Sequence, residues 1–446
     1  MKKAVLVVIV LVLISVGFIS CGYSSAYLYK PPSGLTKRVL ASQGVSSTQL
    51  FGSLWMIDGR YDTIARTTPL SAGGSPGLMA ISPTRNVLAA FDTSSNSVFG
   101  INAVTEASLG RVQLPGPTSS MVVPTASQIG YAAVPTATVT GYSFLGAVDV
   151  MDLSAGSITT TIGVTSAKTV VANATGSQLL VFSDDSDSVT VLSPSSAVPP
   201  VDTSCFTNPP NAVCAIVPGF SRPVNAIVNG SVAYVLNCGL QCGANPTTNS
   251  TVCGATKAAC ISVLDLGSLT VTSTIPVDAA TMAFLSGSTL YVAGTSPINN
   301  GCTGQTTAAT TCGTLEVVNL GSGTVTTSYV ITDGYHSRMD MSANGQLFIG
   351  SHDCTNIGNV NDPSGEVRGC LSILNTNDGS VVIPPDNGNV NGLQGFSQRD
   401  VEYVAEGGAL RVYDTTKNIL LINDQLPEGT INVVGYVGDV KAIDFF

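Results

Sequence analysis

The chain has 446 residues, a formal net charge of −10 and only 10% charged side chains, where an average soluble domain carries about 25%. An acidic chain without a basic patch excludes a reader of phosphate backbones, so nucleic acid is not an expected partner. Gly, Ser, Thr, Val and Asn crowd the sequence instead, and this is a composition of strands and turns: β-branched side chains fit a pleated sheet, while Gly, Asn and Asp supply turn geometry.

The first element is MKK, then a largely apolar stretch from Ala4 to Ile19, then Ser20, Cys21 and Gly22. It reads as an export signal. Small Ser20 directly before Cys21 resembles the bacterial lipobox, with Phe18 standing where Leu is usual; that resemblance implies cleavage at Cys21 and lipidation of its thiol. An uncleaved anchor helix is the alternative, because the apolar stretch plus the following SSAYLY nearly spans a bilayer. The expected organisation is a signal peptide over 1–20, a lipid-anchored linker over 21–36 and one folded unit over 37–446. Loss of Lys2 and Lys3 with the signal takes the net charge from −10 to −12. Gly22 resembles an outer-membrane destination, so the expected location is the extracytoplasmic cell envelope, at the outer membrane or cell surface, with the lipid as the link to the membrane.

Setting Cys21 aside, ten of the 11 cysteines remain. An even number in an exported chain points to disulfides. Cys205 with Cys214, Cys302 with Cys312, and Cys354 with Cys370 are natural local pairs. Cys238, Cys242, Cys253 and Cys260 permit three connectivities, and four thiolates so close also permit a zinc site. Export favours disulfides over zinc.

Along the rest of the chain one unit recurs eight times. Its most regular part is a strand and turn: WMIDG at 55, FGINA at 99, DVMDL at 149, TVLSP at 190, SVLDL at 262, EVVNL at 316, SILNT at 372 and RVYDT at 411. Each carries Asp58, Asn102, Asp152, Ser193, Asp265, Asn319, Asn375 or Asp414 at one position, and such short polar side chains bond the backbone two residues on and hold a turn. A Thr-rich strand follows most copies, as in SITTTIGV and LTVTSTIPV. A Tyr- or Val-rich strand precedes them, clearest in VAYVLN at 232 and LYVAG at 290, and a small apolar strand comes earlier still, as in GLMAIS at 77 and VNAIVNG at 224. Four strands per unit at this spacing predict the blades of an all-β propeller, which must stack around an axis to bury their faces.

The fifth unit, NAIVNGSVAYVLN to DLGSLTVTSTIPV, resembles the YVTN-repeat β-propeller family: Tyr234, Val235 and Asn237 match the naming tetrapeptide, with Leu236 as the departure. The resemblance covers 37–446 and is weaker in the fourth, seventh and eighth units. Members are commonly seven-bladed while eight units are counted here, which leaves seven or eight open. The first unit lacks an innermost strand and DVKAIDFF at 439 is an innermost strand with nothing after it, so the two chain ends are expected to complete one blade and hide its edges.

Marks of chemistry are sparse. One tryptophan and two histidines, with no CxxCH or HExxH, leave no cofactor or catalytic residue to name. Asp184, Asp185 and Asp187 in SDDSDS resemble a calcium cluster but align with the hairpin turn DTSSNS at 92. NGNVNGLQGFSQ at 387 has calcium-loop spacing with amides in place of carboxylates, so no metal is expected. DGYHSRMD at 333 and SHDC at 351 bring His336, Arg338, Asp340, His352 and Asp353 toward one rim of the central channel, as a binding rim or, more plainly, as an Arg338–Asp340 ion pair between blades. Long cysteine-bearing inserts at 238–259, 295–313 and 352–369 open on the same face.

The sequence therefore predicts an exported, lipid-anchored propeller that binds or assembles with another envelope protein, a glycan or a copy of itself. The competing expectation is an enzyme, a lactonase-like or lyase-like propeller with a metal at the channel mouth held by His336, His352 and carboxylates.

Overall fold

A computed structural model describes residues 31–45, 52–125, 127–140, 143–194, 203–204, 214–298, 312–354, 369–384 and 388–444. The export signal, Cys21, Cys205 and Cys302 lie outside the described residues.

Eight antiparallel sheets follow one another around an axis. Blade 2 shows the pattern: Pro76–Ile81 innermost, then Val87–Asp92, Ser97–Asn102 and Ala107–Gln113 outermost. Blades 3 to 8 have innermost strands Ser120–Val122, Ala167–Ala172, Pro223–Asn229, Met282–Ser286, Tyr335–Met341 and Val390–Gly395. Blade 1 is built from both chain ends: Tyr436–Asp444 pairs antiparallel with Lys37–Gly44, followed outward by Ser53–Asp58 and Thr63–Ile64. The ring closes as the sequence predicts, and the blade number is eight. All eight recurring strand-and-turn segments are third strands.

Alternation explains both the repeat and the core. In blade 4, Leu180 and Phe182 pack toward blade 5, while Leu179 and Val181 pack toward blade 3. A strand covered on both faces reads as a near-continuous apolar run, which is why second strands such as LLVFS and VLAAFD lack polar alternation. The buried side chains fall into eight clusters, one per seam between neighbouring blades. Outermost strands face solvent instead, and Thr272 and Thr326 return their hydroxyls to carbonyls of Val263 and Val317, where the register shifts by one residue.

The recurring Asp and Asn residues form turns. Asp152 accepts from the amides of Ser154 and Ala155, Asp265 from Gly267 and Ser268, Asn319 from Gly321 and Ser322, and Asn102, Asn375, Asp58 and Asp414 bond likewise. Asn237, last residue of the YVTN-like tetrapeptide, is fully buried; its Oδ1 accepts from the Ser221 amide at 3.0 Å and its Nδ2 donates to Ser262 at 2.9 Å. It thereby ties the link entering blade 5 to the third strand.

Seams also carry ionic pins. Arg399 of blade 8 grips Asp62 of blade 1 with two bonds of 2.7 and 2.8 Å, and Tyr403 donates to the same carboxylate. Arg38, 1% exposed, reaches Glu106 and the Ala103 carbonyl of blade 2. The short helix Pro246–Cys253, capped by the Asn245 side chain, is the one α-helix among the described residues and was not expected from the sequence. No described helix is long and apolar enough to cross a membrane.

Candidate functional site

The described parts of the cysteine-bearing inserts, 238–259 with the ends of the other two, lie on the face where links enter the innermost strands and where second strands turn into third strands, and 299–311 and 355–368 lie outside the described residues. Cys238 pairs with Cys242, Cys253 with Cys260, and Cys354 with Cys370. The first two choose one of the three connectivities left open above, and no thiolate of that cluster remains for zinc. Cys214 and Cys312 are also disulfide-bonded; Cys205 and Cys302, the mates expected from spacing, lie outside the described residues. Gln241, in the short turn of helix Gly239–Cys242, joins three blades. Its Oε1 accepts from the Thr295 amide of blade 6 at 2.9 Å, and its Nε2 donates to the Gly334 carbonyl at the entrance of blade 7 at 3.4 Å. Thr295 closes the triangle by donating to that same carbonyl at 2.9 Å. Gly334 has φ +95, and a Cβ there would lie 2.2 Å from the His352 carbonyl, so only glycine lets the chain turn here.

Lys257 anchors the same insert. Its ammonium lies 2.7 Å from Asp278 and 3.6 Å from Glu316, and Glu316, 2% exposed, accepts from the Asp278 amide at 2.6 Å. Burial pushes the Glu316 carboxyl up to about 7, against the attraction of Lys257.

The five residues expected at one rim do not converge. His336 pairs in register with Ser351, and His352 pairs with Tyr335; adjacent rows of a strand point to opposite faces. His336 is fully buried toward blade 6, and its Nε2–H donates to the Thr332 carbonyl at 3.0 Å. Burial lowers its pKa to about 4, so the ring is neutral. His352 faces blade 8, near Arg338 and the Val390 backbone, and burial, then Arg338, lower its pKa. A metal held jointly by the two histidines is therefore not built.

Nor do Arg338 and Asp340 pair with each other. Arg338 donates to the Asn391 carbonyl at 2.7 Å, and Asp340 accepts from the Gly395 amide at 2.9 Å and from Gln394 at 3.1 Å. Asp353, exposed at φ +54, takes the Asn389 side chain on its amide. Arg338, Asp340, His352 and Asp353 thus line the seam between blades 7 and 8. Glu402, fully buried beside Asp340, has its pKa raised by burial and by that carboxylate. The amide-rich segment at 387 is mainly the innermost strand of blade 8, an extended run that cannot wrap an ion.

The sequence reading missed where the ionisable groups stay accessible. A cavity of about 230 Å³ opens at the channel mouth between blades 4, 5 and 7, lined among others by Lys168, Phe182, Asp185, Arg222, Val224 and Tyr335. Lys168 binds Asp184 at 2.6 Å with both side chains half exposed, and Arg222 meets Asp185 at 3.5 Å, with Asp185 89% exposed. Asp187 accepts from the Arg222 amide at 3.0 Å. The three carboxylates of SDDSDS therefore serve the Lys168 ammonium, the Arg222 guanidinium and the Arg222 amide, and no group of three metal-ligating side chains occurs among the described residues. Tyr335 follows the bracketed Gly334 and forms the opposite wall, 42% exposed, with its pKa raised by burial of the remainder. One signal for this cavity was available: Lys168 and Arg222 open innermost strands as His336 does, in a chain with only 18 basic residues. A second cavity, about 590 Å³, opens at the other end of the channel beside Arg85, Met121, Gln394 and Lys441.

No family model matches the chain and no curated protein does. Among solved structures it is similar to dihydro-heme d1 dehydrogenase NirN in complex with DHE, at 11% identity over 95% of this chain and 78% of that one, with a TM-score of 0.57. It is similar to the computationally designed Ika8 protein at 10% identity over 85% and 98%, TM-score 0.51. BamB from Moraxella catarrhalis matches at 11% identity over 82% and 92%, TM-score 0.47, too distant to argue from. At such identities a likeness shows the fold alone: the chain is an eight-bladed β-propeller.

Proposed function

We propose that this propeller is an extracytoplasmic, lipid-anchored scaffold that binds or assembles with another envelope protein, a glycan or a second copy of itself, through the face carrying the inserts. The YVTN-like tetrapeptide at 234–237 and the lipobox-like Ser20–Cys21 belong to the same reading. The observation that carries it is the Gln241 bracket: it locks the insert of blade 5 to the start of the blade 6 insert and to the link into blade 7. Loops held rigid on a rigid ring are suited to recognition, and they lose little freedom on binding. Cystines inside these inserts match an oxidising compartment.

The test is cross-linking from intact cells with the native chain, the Gln241→Ala variant and a Cys21→Ala variant, with the products identified by mass spectrometry. One partner species, or a dimer, is expected with the native chain and is weakened in Gln241→Ala at unchanged fold. Cys21→Ala is expected to release the protein from the membrane fraction. A native chain that yields only monomer would end the scaffold reading.

A further inference from the structure

The cavity at the channel mouth has a charge pattern that selects a ligand class. Both signs face one small space: Lys168 and Arg222 on one side of the balance, Asp184 and Asp185 on the other. A simple anion meets two carboxylates there and a simple cation meets two basic groups. A net-neutral ligand that separates its charges satisfies all four. The two internal pairs are also unequal. Lys168 and Asp184 make a direct 2.6 Å contact, whereas Arg222 and Asp185 touch at one point, 3.5 Å apart. The Arg222 side chain keeps 21% of its surface exposed, its Nε is buried without a hydrogen-bond partner among the described residues, and a guanidinium held by one long contact can still meet a carboxylate through its terminal N–H groups. Asp185 is 89% exposed, and that long contact is the one ion pair of its carboxylate among the described residues.

We propose that the mouth cavity binds a small zwitterion of the amino-acid class. The ligand carboxylate takes the guanidinium of Arg222, Asp185 leaves Arg222 for the ligand ammonium, and the side chain rests against Val224 and the ring of Tyr335. No charge is stranded in this exchange, because each member of the weak internal pair gains a closer partner. Pockets for drug-sized ligands run to about 300–1,000 Å³; at about 230 Å³ this one suits a single amino acid. The Gln241–Gly334 bracket fixes the wall, since Tyr335 is the next residue after Gly334. This site does not depend on the scaffold reading, which concerns the outer surface of the inserts.

The experiment is calorimetric titration of the full mature chain with L-leucine, 4-methylpentanoate and 3-methylbutylamine, the latter two being leucine without its ammonium and without its carboxylate, and with glucose. Leucine is expected to bind saturably and at least about tenfold tighter than either half-ligand or glucose. Arg222→Gln and Asp185→Asn are each expected to weaken leucine by about tenfold or more, with the unfolding midpoint of Asp185→Asn unchanged. Absence of saturable leucine binding through about 10 mM, equal binding of a half-ligand, tighter binding of glucose, or leucine affinity untouched by Asp185→Asn would each overturn the proposal. Cross-linking of the same variants from cells stays at the native level if the scaffold face is separate.

Discussion

Two clusters of ionisable residues lie along the ring, one in a seam and one at the channel mouth, and they have opposite fates. At the seam of blades 7 and 8, Arg338, Asp340 and Glu402 are consumed by the neighbouring blade: a backbone carbonyl, a backbone amide and a buried acid pair absorb them. At the mouth between blades 4, 5 and 7, Lys168 pairs with Asp184 and Arg222 with Asp185, with no other ion pair to these four among the described residues, and all but Arg222 are half exposed or more. The difference teaches that charge in a low-charge chain is not by itself a mark of function. What separates the two clusters is whether an adjacent blade supplies backbone partners. Substitution at the seam should cost folding energy, and substitution at the mouth should cost binding.

The largest effect is expected at His336. Its folded value of about 4 lies below the ordinary 6.5, so the stability that comes with the neutral ring is whole above pH 6.5 and is lost as pH falls toward 4. Chemical denaturation from pH 7 to 4 should show a loss of roughly 3 kcal/mol from this group, and His336→Gln should flatten that limb. Next is Asp340→Ala, which strands the Gly395 amide and Gln394 and should lower stability by about 2 kcal/mol at pH 7. Equal stability of Asp340→Ala and the native chain would break the comparison, for the seam would then be as idle as the mouth.

Between the two regions lies Glu316. Its folded value, about 7, is above the ordinary 4.5, so its contribution is whole below pH 4.5 and is lost as pH rises through 7. Glu316→Gln should remove that loss of stability between pH 5 and 8, read from unfolding midpoints. The smallest effect is expected at the mouth: Lys168→Ala removes a half-exposed ion pair and should change stability by less than about 0.5 kcal/mol. A larger loss there would mean the mouth pair is a pin like those of the seams.

Much of the ring was legible along the chain. Turn-forming Asp and Asn at seven of the eight third strands act through neighbours two and three residues away, so their role follows from local chemistry and holds in bonds such as those of Asp265. The closing strand was legible for a related reason, because the first unit is short by the one strand that the last segment supplies. The site was far less so. His336 and His352 look like a pair when spacing is read, yet one row of register sends them to opposite faces of a blade. Arg222 and Tyr335 are 113 residues apart, and no local pattern joins them.

By itself the sequence determined the blade unit, its turns, the eightfold count of third strands and the clasp, because each rests on periodicity and on bonds within one hairpin. Only the tertiary structure decided which charges are spent and which remain, because that depends on what the neighbouring blade presents across each seam. A carboxylate facing a backbone amide from the next blade becomes a pin, and one facing the channel mouth stays available for a ligand.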